Sequence, residues 1–218
     1  SKLDEEARIR DARKKEREEQ HLYLVARVIT DKTLREHCGT DLAVMNSNEW
    51  SSPGSAAYYR LLRKSLLKDL IEQVGHDSGI EPNRIRMWAM VGRQNKTIRP
   101  DQPIYDANIT LEEAHQKMAG QKNGEFKLWA EVVEEADDGN PVRPASPGLI
   151  INKVSAKTDL IVLFLKHFNI QTQQLNCVGY TYISKEKKVE DLIPIILNKM
   201  GWSEKSHNGN KLQLRLFE

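Results

Sequence analysis

The amino-acid sequence predicts an α+β protein in which one structural unit occurs twice after a charged helix. Two similar stretches indicate the duplication: residues 66–71 (LLKDLI) and residues 189–194 (VEDLIP). Each belongs to an apolar stripe with the i, i+3, i+4, i+7 spacing of an amphipathic helix. The stripes are Leu67, Leu70, Ile71 and Val74, and Val189, Leu192, Ile193 and Ile196. A glycine, Gly79 or Gly201, follows each stripe at the same distance, as a helix C-terminus favours.

Length and composition describe a globular protein with a well-charged surface. The 218 residues suffice for two small domains, and the formal net charge is only +2. Because basic and acidic residues are interspersed and no apolar run is long enough for a membrane span, we expect neither nucleic acid nor membrane as a partner. The two cysteines, Cys38 and Cys177, cannot form a disulfide framework or a clustered zinc site, so we expect both to be reduced.

Residues 1–20 predict a solvated connector helix. They are rich in Ala, Glu, Arg and Lys, contain neither Gly nor Pro, and place opposite charges at i, i+3 or i, i+4. The apolar stripe is too sparse for a coiled coil, so the helix is interpreted as a spacer before the first domain.

The first copy of the repeated unit is predicted at residues 21–135. β-branched and aromatic residues indicate two strands before the striped helix, and further strands and a short helix after it. In chain order the predicted elements are strands 21–30 and 56–64, the striped helix, strand 84–91, a turn-rich segment through Pro100 and Pro103, helix 110–118 and strand 127–135.

The second copy is predicted at residues 149–218, after a linker at residues 136–148 that is marked by its prolines and glycines. Strands at 160–168 and 175–184 precede the second striped helix, and a strand at 211–217 follows it. Nothing after that strand corresponds to the last strand of the first copy. The second copy is therefore expected to be incomplete.

The predicted order of elements resembles the ubiquitin-like β-grasp, in which a helix packs across two strands and further strands complete the sheet. The order ββαβ also occurs in other α+β folds. The resemblance therefore needs support from longer stretches of sequence.

Three segments of the chain resemble the herpesvirus-associated ubiquitin-specific protease and its fungal relatives. The resemblance is to the connector helix and the first two C-terminal ubiquitin-like domains of that family. The segments are residues 14–24 (KKEREEQHLYL), 84–100 (RIRMWAMVGRQNKTIRP) and 160–202. Residues 46–55 have no counterpart in that pattern. The resemblance implies tandem β-grasp modules that follow a papain-like thiol protease domain, bind regulatory or substrate proteins and influence the protease.

The sequence contains no convincing catalytic pair of its own. His37 and Cys38 are neighbours, and a cysteine nucleophile needs a base that lowers its pKa, but side chains of adjacent strand residues point to opposite faces. We expect Cys38 to be an ordinary loop residue, Cys177 to be a small buried residue, and the chain to hold no cofactor and no metal ion.

Two charged stretches are candidate partner-binding surfaces, against the alternative that each is only solvated. The first is the loop after strand 84–91, which lacks the glycine spacing of a phosphate loop. The second is the acidic strand end that runs into the linker and could attract a lysine-rich peptide. The candidate residues are Arg93, Lys96 and Arg99 in the basic loop, and Glu131, Glu134, Glu135, Asp137 and Asp138 in the acidic stretch.

The leading hypothesis is a non-catalytic docking and regulatory segment of a cysteine-type deubiquitinating enzyme, acting by protein contact. Its expected partners are the upstream protease domain in the same parent chain and regulatory or substrate proteins, and its expected location is nucleus and cytoplasm. The alternative is a free-standing adaptor with two ubiquitin-like modules. A third possibility, an enzyme in its own right, is disfavoured by the missing nucleophile and base.

Overall fold

The computed structural model describes residues 2–45, 52–94, 97–118, 124–135, 141–142, 160–203 and 214–216. The chain begins with helix α1 (Lys2–Glu19), and a 3-10 turn at Gln20–Leu22 leads from it into the first strand. Residues 8–15 of α1 are exposed throughout, as its charge pattern predicts. No helix among the described residues has the length and apolar character needed to cross a membrane.

A five-stranded mixed sheet forms the first module. Its strands are β1 (Tyr23–Ile29), β2 (Ala57–Leu62), β3 (Ile85–Gly92), β4 (Ile98–Pro103) and β5 (Phe126–Val132), and its helices are α2 (Asp31–Glu36), α3 (Leu67–Ser78) and α4 (Leu111–Met118). The strands lie in the order β2-β1-β5-β3-β4. Among the described strands of this sheet, β1 and β5 pair in parallel and the other pairs are antiparallel. The order places β5, the last of the five along the chain, in the middle of the sheet. The predicted α+β class and β-grasp order are confirmed.

The apolar stripe of α3 packs on one face of this sheet and forms the main core. The stripe residues Leu67, Leu70, Ile71 and Val74 are all buried. They pack with inward-facing residues of the sheet and of α4, which are Leu24, Ala26, Val28, Tyr59, Leu61, Ile85, Met87, Leu111, Ala114, Phe126, Leu128 and Ala130. Hydrophobic burial on this scale is the main source of stability for the module.

The repeated sequence motif ends both helices in the same way, but its second apolar stripe is only partly buried, with Leu192 buried and Val189 and Ile193 exposed. The carboxylates of Asp69 and Asp191 each accept a hydrogen bond from the backbone N–H three residues earlier, at 2.8 and 2.9 Å. Asp69 thereby satisfies an N–H at the start of α3, and Asp191 one at the start of the 3-10 turn Val189–Asp191 that leads into α5. At the other end, Gly79 and Gly201 both adopt a left-handed conformation, with φ of 68° and 65°, which glycine reaches without steric cost.

The second module consists of β8 (Leu160–Asn169), β9 (Gln174–Ser184) and helix α5 (Leu192–Met200). The two strands form an antiparallel hairpin with a bulge between Leu165 and Lys166. Within the described part of the chain, β8 has no strand neighbour other than β9. Residues 214–216 form no strand, and the rest of the strand expected at 211–217 lies outside the described residues.

Two elements were not expected. Strand β4 takes the place of the turn-rich segment. Of the strands that the structure describes, only β3 pairs with it, and such an edge position tolerates the missing N–H groups of Pro100 and Pro103. Helix α2 begins where the side chain of Thr30 accepts a hydrogen bond from the Thr33 N–H, at 3.3 Å.

The linker expected at residues 136–148 also contains regular structure. Its residues Pro141–Val142 form strand β7, which pairs with strand β6 (Glu134–Glu135). Proline can take the first position of a short strand that lies outside the main sheet. The rest of the expected linker lies outside the described residues.

Candidate functional site

Strands β3 and β5 are buried on both faces. Their register places Arg86 opposite Glu131 and Trp88 opposite Trp129. Because side chains alternate between the faces of a strand, these four residues lie on the face away from α3. Arg86, Trp129 and Glu131 are 5%, 0% and 1% exposed, since the β8–β9 hairpin covers this face. We call this contact the inter-module interface.

Aromatic rings form the centre of the inter-module interface. The ring of Trp129 meets Phe164 at 4.9 Å and Tyr180 at 4.8 Å, both edge to face, and Trp88 at 5.7 Å. The Tyr180 hydroxyl donates a hydrogen bond to the Val132 carbonyl, at 2.8 Å. Buried or partly buried apolar residues around these rings are Ile29, Leu34, Leu42, Ala43, Ala56 and Met90 of the first module and Val162 and Cys177 of the second. This second core is shared by the two modules.

A buried carboxylate forms the polar part of the interface. Glu131 accepts hydrogen bonds from Arg86 Nε and Trp88 Nε1, both at 2.7 Å, and from the Tyr182 hydroxyl. Arg86 Nη2 also donates to the Tyr182 oxygen, at 3.1 Å. A buried charge needs such partners, because an unpaired one would cost several kcal/mol. Tyr182 of the second module is therefore held by two charged residues of the first.

The protonation of this network is fixed by its surroundings. Burial and the adjacent Glu131 raise the pKa of the Tyr182 hydroxyl above its usual value, so it stays neutral and remains a donor. Burial alone would lower the pKa of Arg86, but the hydrogen bond and charge of Glu131 raise it. At neutral pH the interface holds an Arg86–Glu131 ion pair and an un-ionised phenol.

A loop after α2 forms the second contact between the modules. The ammonium group of Lys166 donates to the backbone carbonyls of Gly39 and Asp41. The Gly39 N–H in turn donates to the Leu175 carbonyl on β9, at 2.9 Å. Burial lowers the pKa of Lys166 below its usual value. These backbone contacts fix the position of the hairpin beside α2.

The basic candidate residues have different environments. Arg99 Nη1 forms an ion pair with Asp41 Oδ1 at 3.0 Å and so supports the loop that Lys166 contacts. Arg93 is exposed, and its N–H donates to the Thr97 carbonyl at 2.8 Å in the turn between β3 and β4. Lys96 lies outside the described residues. Arg99 is therefore part of the scaffold of the interface, and Arg93 lies on the open surface.

The acidic candidate residues do not form one surface with Glu131. Glu131 is buried between Arg86 and Tyr182, so its assignment to a solvated acidic surface was wrong. Glu134 and Glu135 form β6, and Asp137 and Asp138 lie outside the described residues. Alternation along β5 explains the correction: Glu131 shares the covered face with Trp129.

The neighbouring His37 and Cys38 have different surroundings. The exposed Cys38 thiol donates to the Asn176 side-chain oxygen, at 3.0 Å. The His37 ring is buried, and burial lowers its pKa, with a further contribution from the positive charge of Lys166. The part of the chain that the structure describes contains no cluster of three His, Cys, Asp or Glu residues suited to a metal ion.

The inter-module interface itself was missed by the sequence reasoning. A signal was present in the sequence. Met87, Leu128 and Ala130 face α3, so the adjacent Trp88 and Trp129 place bulky side chains on the opposite face of the sheet. Strands with bulky apolar residues on both faces are buried on both faces. The sequence did not show which element covers the second face.

The family model and the relatives that match this chain all describe deubiquitinating proteases or their domains. Residues 85–218 match the family described as the ICP0-binding domain of Ubiquitin-specific protease 7. The chain is 24% identical to Ubiquitin carboxyl-terminal hydrolase 5 of Schizosaccharomyces pombe, over 90% of this chain and 17% of that protein. It is also 24% identical to Ubiquitin carboxyl-terminal hydrolase 7 of Drosophila melanogaster, over 92% of this chain and 16% of that protein. A solved structure of a designed protein based on ubiquitin aligns with a TM-score of 0.28 and 13% identity, over 53% of this chain and 95% of that one.

The extent of these matches decides what they show. The chain spans only about a sixth of the length of the curated relatives, 17% and 16% in the two cases. The family match, in contrast, covers more than half of the chain and includes β3, β5 and the β8–β9 hairpin, which form the inter-module interface. The chain therefore belongs to the family of the ICP0-binding domain of Ubiquitin-specific protease 7 and is a ubiquitin-like segment of the ubiquitin-specific proteases.

Proposed function

We propose that this chain is a non-catalytic docking and regulatory segment of a ubiquitin-specific protease. It acts by presenting two ubiquitin-like modules to the protease domain and to partner proteins in one fixed arrangement. The observation that carries the proposal is the inter-module interface, in which Trp129 and Glu131 of the first module are buried by Phe164, Tyr180 and Tyr182 of the second.

A fixed arrangement matters for a regulatory segment. Two modules on a flexible linker sample many relative positions. A partner that contacts both then loses binding free energy, because binding has to order the modules. Modules that share a core are already ordered before the partner binds. The family described as an ICP0-binding domain and the ubiquitin carboxyl-terminal hydrolase relatives support protein binding inside a deubiquitinating enzyme.

Matched substitutions on β8 test the proposal in the parent protease. Phe164 contacts Trp129, whereas Phe168 on the same strand is 55% exposed. Phe164→Ala should change the turnover of a ubiquitin conjugate by the full enzyme, because it loosens the arrangement of the modules, and Phe168→Ala should leave turnover unchanged. Equal turnover in both variants and the parent would contradict a regulatory role and favour a passive adaptor.

The absence of catalysis by this segment has its own test. The isolated chain should neither hydrolyse a ubiquitin conjugate nor react with a ubiquitin probe that carries a thiol-reactive end. Labelling of Cys38 by that probe at one equivalent would contradict the non-catalytic assignment.

A further inference from the structure

Part of the sheet face that carries the inter-module interface stays open to solvent. The β8–β9 hairpin covers this face around Ile29 and Trp129, which are both 0% exposed. Towards the start of β1, the side chains on the same face are partly or largely exposed. They point away from α3, because side chains alternate between the two faces of a strand. We call this surface the open sheet face, and its residues are Tyr23, Val25, Tyr58, Arg60, Leu62 and Lys127.

Apolar and aromatic side chains make up most of the open sheet face. Tyr58 and Leu62 on β2 are 40% and 45% exposed, and Leu62 lies opposite Tyr23 in the strand register. Tyr23 and Val25 are partly exposed beside them on β1. Large apolar side chains that lie side by side at the surface indicate a contact site, whereas scattered ones do not.

An arginine side chain is held in place on this surface by an aromatic ring. The guanidinium carbon of Arg60 lies 4.1 Å from the centre of the Tyr23 ring, in a cation–π contact. A guanidinium that stacks on a ring is already ordered and can still donate hydrogen bonds from its edge. Less side-chain entropy is therefore lost when Arg60 binds a carboxylate.

The open sheet face is positively charged. Glu125, two residues before Lys127, forms an ion pair with Arg27 at 3.2 Å. Among the residues that the structure describes, no carboxylate forms an ion pair with Arg60 or Lys127. A partner that brings carboxylates to this surface thus meets two cations without breaking an ion pair of either.

The dimensions of the open sheet face suit one short helix. The surface extends along β2 from Tyr58 to Leu62, about 13 Å, and across β2, β1 and β5, about 10 Å. A helix is about 10 Å wide and covers that length with about nine residues. Helix α3 packs on the opposite face of the same sheet.

We propose that the open sheet face binds an amphipathic helix of a partner protein, whose apolar stripe packs on the exposed aromatic and aliphatic side chains and whose carboxylates pair with Arg60 and Lys127. The inference rests on the proposed function, because it takes protein contact as the role of this chain. It adds one contact surface and the chemistry of the partner that fits it.

A fluorescently labelled peptide of about 14 residues, with Leu at i, i+3, i+4 and i+7 and with flanking Glu, tests the surface by fluorescence anisotropy. Two double variants carry the same change in net charge. Arg60→Glu with Lys127→Glu alters the open sheet face, and Lys32→Glu with Lys68→Glu alters exposed lysines of α2 and α3. We expect the first pair to lower affinity at least about tenfold and the second to change it less than about twofold.

A matched pair of single changes tests the apolar part. Leu62→Ala should lower affinity about fivefold, because the exposed part of this side chain is buried by the peptide. Tyr105→Ala is the control, since Tyr105 is 53% exposed and follows β4, outside the open sheet face. Arg60→Gln with Lys127→Gln provides a milder charge variant, expected to weaken binding at least about threefold, if the Glu pair melts at a lower temperature than the wild type.

Two further measurements separate this partner from other occupants. A peptide of the same composition with its leucines spread around the helix should bind at least about fivefold more weakly, because charge alone does not bring its apolar groups to one side. Sedimentation of the wild-type chain and of Leu62→Ala should show a monomer in both cases at the concentrations of the assay.

Several results would overturn the proposal. They are the absence of saturable binding to the wild-type chain, an equal loss of affinity in the two double variants, an unchanged affinity of Leu62→Ala, and equal binding of the two peptides. A wild-type dimer that Leu62→Ala dissociates would also overturn it, because the surface would then join two copies of this chain. The assay contains no protease domain, so its failure is distinguishable from a failure of the turnover test.

Discussion

Glu131 is the residue on which the polar half of the inter-module interface depends. It is 1% exposed and accepts hydrogen bonds from Arg86, Trp88 and Tyr182. Removal of one member of a buried ion pair leaves the other charge uncompensated, which costs more than the pair contributes.

Glu131→Ala should therefore lower the free energy of unfolding by roughly 3–5 kcal/mol. The double change Arg86→Met with Glu131→Leu removes both charges and should cost less than the single change. Urea unfolding measures both variants. A double variant that is less stable than Glu131→Ala would show that the ion pair itself, and not the cost of an unpaired Arg86, stabilises the interface.

The Tyr182 hydroxyl predicts a loss of stability at high pH. Its pKa is raised in the folded chain by burial and by Glu131, whereas an unfolded tyrosine titrates near pH 10. Above about pH 10 the unfolded state loses the proton first, so stability falls as pH rises. Tyr182→Phe should make the stability curve flatter between about pH 10 and 11, although Tyr59, whose pKa is also raised, keeps part of the slope. Parallel curves for wild type and variant would contradict this role of Tyr182.

The sequence places Glu131 in an acidic run, and this is where residue-scale prediction fails. Spacing along β5 predicts that Glu131 shares a face with Trp129. It does not reveal that β3 lies next to β5 or that Arg86 is opposite. Cross-strand partners depend on sheet order, which is a property of the whole module.

The helices α3 and α5 are the elements that the sequence predicts best. Their stripes, their N-terminal aspartates and their C-terminal glycines are all local signals, separated by a few residues. The structure places Leu70 in the main core with 0% exposure, and Asp69 and Asp191 in equivalent hydrogen bonds. The edge strand β4, which contains two prolines, was not predicted from such local signals.

Loss of the apolar stripe should be costly. Leu70→Ala leaves a cavity in the main core and should lower the free energy of unfolding by about 2–5 kcal/mol. Leu62→Ala is a matched control, since Leu62 is 45% exposed. Denaturant unfolding compares the two, and similar losses in both would show that α3 is not packed as described.

The two aspartate contacts should have similar, smaller effects. Asp69→Ala and Asp191→Ala each remove a side-chain acceptor at a helix start and should each cost about 0.5–2 kcal/mol. Asp101→Ala, at an exposed position of β4, is the control for general surface effects. Thermal unfolding measures the series. An effect of Asp69→Ala without an effect of Asp191→Ala would contradict equivalent roles for the repeated motif.

At the scale of the molecule, the two modules are joined by more than the chain between them. The duplicated stripe predicted one structural unit that occurs twice, and the main core around α3 lies within the first copy. The second core belongs to both copies, because Trp129 packs against Phe164 and Tyr180 of the hairpin. Local sequence signals show the units, but contact between them depends on which sheet faces meet.

Hydrogen exchange of the complete chain carrying Phe164→Ala or Phe168→Ala tests the shared core most directly. Both changes remove one phenylalanine ring from β8, and only Phe164 touches Trp129. A shared core predicts that Phe164→Ala speeds exchange in β9 and also in β3 and β5 of the first module, whereas Phe168→Ala leaves β3 and β5 unchanged. Faster exchange confined to the β8–β9 hairpin in the Phe164→Ala chain would contradict a core shared by the two modules.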